Sequence, residues 1–292
     1  LRSGGATVDR RGKDPHAKRP SGLVEHCIRW APAKVELRGK SPHYDHALDP
    51  DPVTFAPGTF MAVSVFGLGE APFTIASAPG DGRELELVVR AAGNLSHALH
   101  RLGPGDTVGL RGPFGNGFPV EEFRGQDVLL VAGGLGMVTL RSLLLEILSR
   151  RREFGRVQLL YGAACPDRFL FRDELEAWQG GGELDVRLAV NGASGGWCGT
   201  VGDVPSLLRS LDLSPARTVA AVSGPPAMYR FTNPLLQRLG LSAEQIFLNL
   251  ERHMKCGLGK CGKCRINDLC VCECGPIFRY SQVQHLREAI ER

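Results

Sequence analysis

Little in this chain of 292 residues approaches membrane length. The longest uncharged apolar stretch, Val128 to Leu140, has 13 residues, against the ~20 that a spanning helix needs. The N-terminus is polar and basic and has no apolar segment, so neither a secretory leader nor a membrane span is expected. Aromatics make up only 7% of residues. None interleaves with the charges from Arg10 to Arg19, which speaks against nucleic-acid binding. No Ser-His-Asp arrangement, His-Glu-x-x-His motif, internal repeat or low-complexity segment is found. Net charge is only +4, but residues 1–40 hold ten Lys/Arg and four Asp/Glu, a net of +6, so the remainder carries −2. A solvated arm is the plain reading of such a segment, and residues 1–28 are read as a flexible basic tail.

Hydrophobic residues at 43% and charged residues at 23% are ordinary for a globular protein. Glycine is high, 37 of 292, and falls in short clusters that suit tight turns where backbone approaches a ligand. Residues 29–122 read as short strands broken by Gly and Pro. Phe60 to Phe66 and Thr107 to Arg111 are two. In a third, Leu85, Leu87 and Val89 alternate with Glu84, Glu86 and Val88, as a half-buried strand should. This pattern predicts an antiparallel β-barrel or sandwich. Over residues 126–244 the rhythm changes. Strand starts near Val128, Val157, Leu184, Thr218 and Gln245 alternate with helices at Met137–Arg152, Leu170–Trp178, Val204–Leu211 and Ala227–Leu239. Alternation of this kind predicts a doubly wound parallel α/β sheet. Residues 245–292 form a third region, with a terminal helix expected over Ser281–Arg292.

That third region is rich in cysteine. Of nine cysteines, six lie within nineteen residues: Cys256, Cys261, Cys264, Cys270, Cys272 and Cys274. Without a secretory leader, such density reads as a metal site in a reducing compartment, the cytoplasm. The spacing Cys256-x4-Cys261-x2-Cys264 opens like a plant-type 2Fe–2S loop, which has a more distant fourth ligand. Gly257, Gly259 and Gly262 remove bulk where backbone N–H groups approach the sulfides, and Lys255, Lys260 and Lys263 offset the cluster's negative charge. A four-thiolate zinc site is the alternative, but zinc modules favour paired C-x2-C units and only Cys261/Cys264 fits. Cys270, Cys272 and Cys274 alternate, so on an extended segment all three face one side and each is a candidate fourth ligand. Cys27, Cys165 and Cys198 read as bland thiols, and His253 as an exposed or capping histidine.

Val128-Leu-Leu-Val-Ala-Gly-Gly-Leu-Gly136 is a buried strand running into glycines and then a helix. This order seats a diphosphate at a helix N-terminus. Turns at Ser223-Gly-Pro-Pro-Ala-Met228 and Tyr161-Gly-Ala163 also fall at strand C-termini, where open α/β sheets bind ligands.

Taken together, these segments resemble the ferredoxin–NADP reductase superfamily over roughly residues 55–280. The motifs that carry the likeness are Pro57-Gly58-x-Phe60, Ala71-Pro-Phe-Thr-Ile-Ala-Ser77, Gly112-Pro-Phe-Gly-Asn116, Ala132–Gly136, Gly224-Pro-Pro226 and Cys272-x-x-Gly275-Pro276. Gly69-Glu-Ala-Pro-Phe73 and Leu250-Glu-Arg-His-Met-Lys-Cys-Gly257 are similar to the gamma (diaphorase) subunits of cytoplasmic NiFe hydrogenases. The dihydroorotate dehydrogenase electron-transfer subunit is a further relative.

The resemblance implies FAD, NAD(P) and a 2Fe–2S cluster. Pro72, Phe73, Thr74 and Ser77 would serve the isoalloxazine. Gly93, Leu95 and Ser96 would serve the FAD diphosphate. Gly133, Gly134 and Gly136 would carry the nicotinamide nucleotide's diphosphate, and Gly224, Pro225 and Met228 would border the nicotinamide. It also selects Cys272 as the partner of Cys256, Cys261 and Cys264. Three positions depart from the family pattern. Ala71 replaces an arginine of the flavin motif, for which Arg90 is the substitute on offer. Ser223 replaces a cysteine, and Cys274 an aspartate.

The implied function is electron transfer between NAD(P)(H) and a partner's iron–sulfur chain, most closely as a hydrogenase subunit. The same relay serving dihydroorotate dehydrogenase or a sulfite reductase is the nearest rival. A zinc-stabilised nucleotide-binding module without redox role is the rival of another class. The implied partners are an iron–sulfur subunit and hydrogenase subunits.

Overall fold

The computed structural model describes residues 2–9, 25–31, 53–80, 85–103, 106–193, 196–286 and 288–289, the first two segments as backbone only. Two large sheets divide it. The first holds β1 (Arg2–Asp9), β2 (Glu25–Ala31), β3 (Phe60–Val65), β4 (Gly69–Thr74), β5 (Leu85–Arg90) and β6 (Thr107–Phe114). Its order is β4-β3-β6-β1-β2-β5, and every pair is antiparallel. An Ile75↔Leu87 bridge joins the chain after β4 to β5, so the sheet's two ends meet. Leu85, Leu87 and Val89 point inward as the alternation requires, together with Met61, Val63 and Val108. Helix α1 (Asn94–Arg101) caps this core with Leu99.

The tail expected over residues 1–28 is corrected where the chain is described. Arg2–Asp9 and Glu25–Ala31 are strands, with β1 in register from Arg2↔Gly112 to Thr7↔Thr107 against β6. No apolar alternation announces β1, because its Gly4-Gly5 pair and polar neighbours rest on ladder hydrogen bonds rather than on side-chain pattern. Residues 10–24 of that expectation lie outside the described residues. Glu86 is a second correction: it reads as an outward strand position, yet it is buried.

In the second sheet, β7 (Asp127–Gly133), β8 (Val157–Ala163), β9 (Asp185–Val190) and β10 (Thr200–Val201) step outward in one direction. β11 (Thr218–Ser223) and β12 (Ile246–Asn249) step outward in the other. These six strands are parallel. Helices α2 (Gly136–Ser149) and α3 (Arg172–Gly181) cover one face, packing with Val128, Leu130 and Ala221. Helices α4 (Val204–Arg209) and α5 (Pro226–Arg238) cover the other, over Leu129, Val131 and Val222. Asp203 caps α4 by accepting the Ser206 N–H at 3.0 Å, a contact worth about 1 kcal/mol.

The cysteine region follows β12. It contains a two-stranded ribbon of β13 (Arg265–Ile266) and β14 (Leu269–Cys270), then α6 (Val271–Cys274) and β15 (Ile277–Arg279). β15 returns to pair antiparallel with β12. Thus β12 and β15, placed by the sequence reading in the third region, belong to the second sheet. The terminal helix expected over Ser281–Arg292 is interrupted: among the described residues, α7 (Tyr280–Val283) ends in a turn and 288–289 are helical again, while residues 287 and 290–292 of that expectation lie outside the described residues. Among the described residues, no helix is long and apolar enough to cross a membrane.

Candidate functional site

Strand order reverses between β7 and β11, and open sheets bind ligands in the crevice beyond the strand ends at such a point. Two loops meet there. Gly133 packs on the second turn: a Cβ on it would lie 2.7 Å from Met228 Sδ and 3.1 Å from Pro225 Cδ. A Cβ on Gly136 would overlap the Ser223 carbonyl. These two glycines therefore serve close packing between the loops. Gly134 differs, with φ +52° and open space where a Cβ would stand. Its N–H donates to the Gly162 carbonyl at 2.9 Å, and its carbonyl accepts from the Tyr161 hydroxyl at 3.1 Å. All three sequence-predicted turns are thus brought together, and the loop feeding α2 is held from below.

A buried polar network locks the second turn. The Asn249 amide donates to Ser223 Oγ and Thr139 Oγ1, each at 3.1 Å. The Tyr229 hydroxyl donates to the Asn249 carbonyl and accepts the Gly224 N–H at 3.3 Å. Burial pushes the Tyr229 phenol above its ordinary range, so it stays a donor. Ser223, the departure from the family cysteine, is a member of this network. Beyond β12, Glu251 is solvent-accessible yet crowded by protein. The crowding raises its carboxyl pKa, and Arg90 opposes the rise. Arg90 is thereby placed within electrostatic reach of the end of β12.

Arg141 of α2 was missed by the sequence reading. Its side chain is 5% exposed. Nη1 donates to Glu86 Oε2 at 2.5 Å and to the Ala76 carbonyl at 2.7 Å. Nε and Nη2 donate to Glu174 at 2.7 and 2.6 Å, and the guanidinium lies over the Phe171 ring. One residue thus joins the first sheet, α2 and α3. The signal was available: an arginine amid Val138, Leu140, Leu143 and Leu144 needs a buried acidic partner.

Within the first sheet, Pro72, Phe73 and Thr74 are half-buried on edge strand β4. Ser77 Oγ accepts the Glu86 N–H at 3.3 Å, tying the motif's end to β5. Gly93 caps α1. Ser96, in the first turn of α1, reaches back to the helix start, its Oγ accepting the N–H groups of Ala92 and Gly93 at 2.9 Å and donating to the Gly93 carbonyl. The Ser96 hydroxyl is therefore occupied in shaping the turn. The first N–H groups of α1, Leu95's among them, are the unpaired donors every helix start presents.

Among the cysteines, Cys264 and Cys272 are buried, Cys256 is half-buried and Cys261 is exposed. Three glycines, Gly257, Gly259 and Gly262, have φ of 73°, 70° and 69°, which lets the loop turn back on its sulfurs. The Leu258 N–H points at Cys256 Sγ (3.4 Å), the Gly259 N–H at Cys272 Sγ (3.2 Å) and the Cys272 N–H at Cys264 Sγ (3.4 Å). The Leu258 N–H above all, with further donors from Cys261 and Lys260, holds the Cys256 thiol at about 6 in the metal-free chain. Burial pushes Cys272 to about 12, and the neighbouring Cys264 adds to the rise.

The thiols lie within electrostatic reach of one another: Cys256 with Cys261, and Cys272 with both Cys264 and Cys256. Cys270 and Cys274 are not on one extended face with Cys272, because α6 begins at Val271. Cys274 is exposed, while Cys270 Sγ lies 3.6 Å from the Gly259 carbonyl.

Known proteins are similar to this chain in sequence and in fold. The model of the oxidoreductase NAD-binding domain matches residues 130–233. That of the iron-sulfur cluster binding domain of dihydroorotate dehydrogenase B matches residues 251–284. The sulfhydrogenase 1 subunit gamma of Pyrococcus furiosus is 38% identical over 236 residues, 79% of this chain and 81% of the relative. A probable dihydroorotate dehydrogenase B (NAD(+)) electron transfer subunit of Methanothermobacter thermautotrophicus is 34% identical over 234 residues, 80% of this chain and 81% of that one. Among solved structures, the NADH-dependent reduced ferredoxin-NADP oxidoreductase matches with a TM-score of 0.67 at 21% identity. That match covers 92% of this chain and 91% of that chain, a likeness of fold.

Proposed function

The chain belongs to the family of the sulfhydrogenase gamma and dihydroorotate dehydrogenase B electron-transfer subunits, within the ferredoxin–NADP reductase superfamily, and from that premise we propose that it joins NAD(P)(H) to the iron–sulfur chain of a cytoplasmic hydrogenase. It is an NAD(P)H-linked oxidoreductase subunit with an iron–sulfur domain. In our reading the domain carries a 2Fe–2S cluster, and the first sheet is a flavin-binding barrel that holds FAD. When bound, flavin and cluster convert between the electron pair of a hydride and single electrons; hydride transfer itself calls for no acid–base residue.

The observation that carries the proposal is a register. Thr74 lies opposite Phe60, and Phe60 opposite Phe114, across β4, β3 and β6. The Phe114 ring packs on Gly257, where a Cβ would come within 2.8 Å. The flavin-motif strand and the first cysteine's loop are therefore two strands apart. The donor set fits the cluster: four thiols on one loop and the turn after it, N–H groups aimed at sulfur, and three left-handed glycines.

The chain's own residues divide the work. Phe73 and Thr74 would orient the isoalloxazine, and the start of α1 would receive the FAD diphosphate. Gly134 and the head of α2 would receive that of the nicotinamide nucleotide. Pro225 and Met228 would wall its ring, and the Tyr229–Asn249 network would keep that wall in place. Cys256, Cys261, Cys264 and Cys272 would ligate the irons. Lys260 and Lys263 flank the exposed Cys261 and suit an acidic face on the incoming partner.

Tagged chain isolated without oxygen from its source cells should bleach in flavin and iron–sulfur absorption on adding NAD(P)H, and should bring down hydrogenase subunits. A co-purifying FMN enzyme that oxidises dihydroorotate would move the partner to the rival reading. A colourless zinc protein would overturn both.

A further inference from the structure

The two segments that flank the cysteine ligands are gripped by one stretch of β6 and its exit, Arg111–Asn116. On the entry side, Arg111 Nη1 donates to the carbonyl of Cys256 at 2.7 Å, with Nη2 3.5 Å from that of Lys255. Glu70 holds the same guanidinium by accepting from Nε at 3.2 Å and Nη2 at 2.5 Å. The guanidinium lies 4.9 Å from the Phe114 ring centroid. On the exit side, Asn116 Nδ2 donates to the carbonyls of Ile277 (2.7 Å) and Cys274 (3.3 Å), and its Oδ1 accepts the Ile277 N–H at 3.1 Å. The Asn116 N–H donates to the Gly275 carbonyl at 2.7 Å.

These contacts have a common character. Apart from the Glu70 pair, every hydrogen bond in the set ends on backbone. They therefore fix where the cysteine loop sits without touching sulfur. Glu70 stands beside the flavin-motif residues on β4, so the Glu70–Arg111–Cys256 chain runs from one proposed cofactor strand to the other. Arg111 is 24% and Glu70 33% exposed, and an ion pair in such a setting stabilises a fold only slightly. Its geometric effect is larger. A bidentate arginine restrains a neighbour in direction as well as in distance.

We propose that Arg111, oriented by Glu70 and backed by Asn116, is a positioning residue that sets the flavin-to-cluster separation, and with it the rate of single-electron exchange between them. This inference rests on the relay reading above. The step is the transfer of one electron, the flavin losing what the cluster gains, with no bond formed or broken.

The test uses full-length protein prepared without oxygen, as wild type, Arg111→Met, Arg111→Lys and Glu70→Gln, with iron and flavin quantified. Stopped-flow mixing with NAD(P)H follows flavin bleaching and iron–sulfur bleaching separately. In Arg111→Met the flavin phase should stay unchanged, while the cluster phase slows several-fold, since electron tunnelling weakens steeply with the distance between donor and acceptor. Arg111→Lys, which keeps one donor, should recover part of that loss. Hydrogen exchange should show the amides of residues 255–261 less protected in Arg111→Met, independently of turnover.

An iron-replete Arg111→Met with both phases unchanged would overturn the proposal. Should Arg111→Met lose its iron, Glu70→Gln decides in the same way: a slowed cluster phase supports the clamp, an unchanged one removes it. Failure of the relay reading looks different, because wild type itself would then show no cluster phase at all.

Discussion

Arg141 and Arg111 do parallel work on either side of the first sheet, in different surroundings. Arg141 reaches across to the nucleotide side and is buried with Glu86, side chains 5% and 8% exposed. Arg111 reaches across to the cysteine side in partial contact with water. A buried ion pair is held by mutual need, because either partner alone would be an uncompensated charge in a poor solvent for charge. A half-exposed pair is screened, and its loss is repaired by water. The nucleotide side is thus joined to the first sheet by a buried ion pair between two separate apolar clusters. The cysteine side is attached by the Arg111 and Asn116 contacts to its backbone and by an apolar cluster that joins Phe60 and Phe114 to Cys264, Val271 and Cys272. The first ion pair is buried and the second half-exposed.

Removing iron should separate the two sides most. Metal-ligand bonds couple to folding in small cysteine modules. After anaerobic chelation, amides over residues 256–274 should exchange on the order of a thousandfold faster while β7, β8 and β11 keep their protection. A uniform change across both sides would erase the distinction. Next, Arg141→Met should cost about 3–5 kcal/mol in denaturant unfolding by stranding Glu86, whereas Arg111→Met should cost less than about 1 kcal/mol. Equal costs would mean that burial is not what distinguishes them. Tyr229→Phe removes a buried hydroxyl with two partners and should cost about 1–3 kcal/mol, with weaker nucleotide binding by calorimetry and unchanged iron content. Ser96→Ala removes the acceptor of the Ala92 and Gly93 N–H groups at a surface position. It should lower stability by about 0.5–1 kcal/mol and show chiefly as reduced flavin retention on gel filtration.

What was legible in the sequence was whatever depends on near neighbours. The apolar face of Leu140, Leu143, Leu144 and Ile147 announces α2, and the spacing of Cys256, Cys261 and Cys264 announces a turning loop. Gly133 and Gly136 mark a close approach, although only the structure shows that the second turn is what approaches them. The rest depends on partners distant in sequence. Glu86 looks like an outward strand residue until Arg141, fifty-five positions later, makes it an inward one. Glu70 and Lys255–Cys256 each stood out as subgroup marks, but nothing local says that Arg111 joins them. β1 was missed because a strand stabilised by its ladder carries no side-chain rhythm. The facing of Cys270, Cys272 and Cys274 was misjudged because a single helical turn at Val271–Cys274 replaces the extended chain.

The most direct test of the account is a quantitative assay of the oxygen-free protein for iron, acid-labile sulfide, zinc and flavin. A converter between paired and single electrons predicts iron and sulfide in equal amounts, about two of each per chain, with one FAD. Zinc in place of iron, with no flavin, would contradict it.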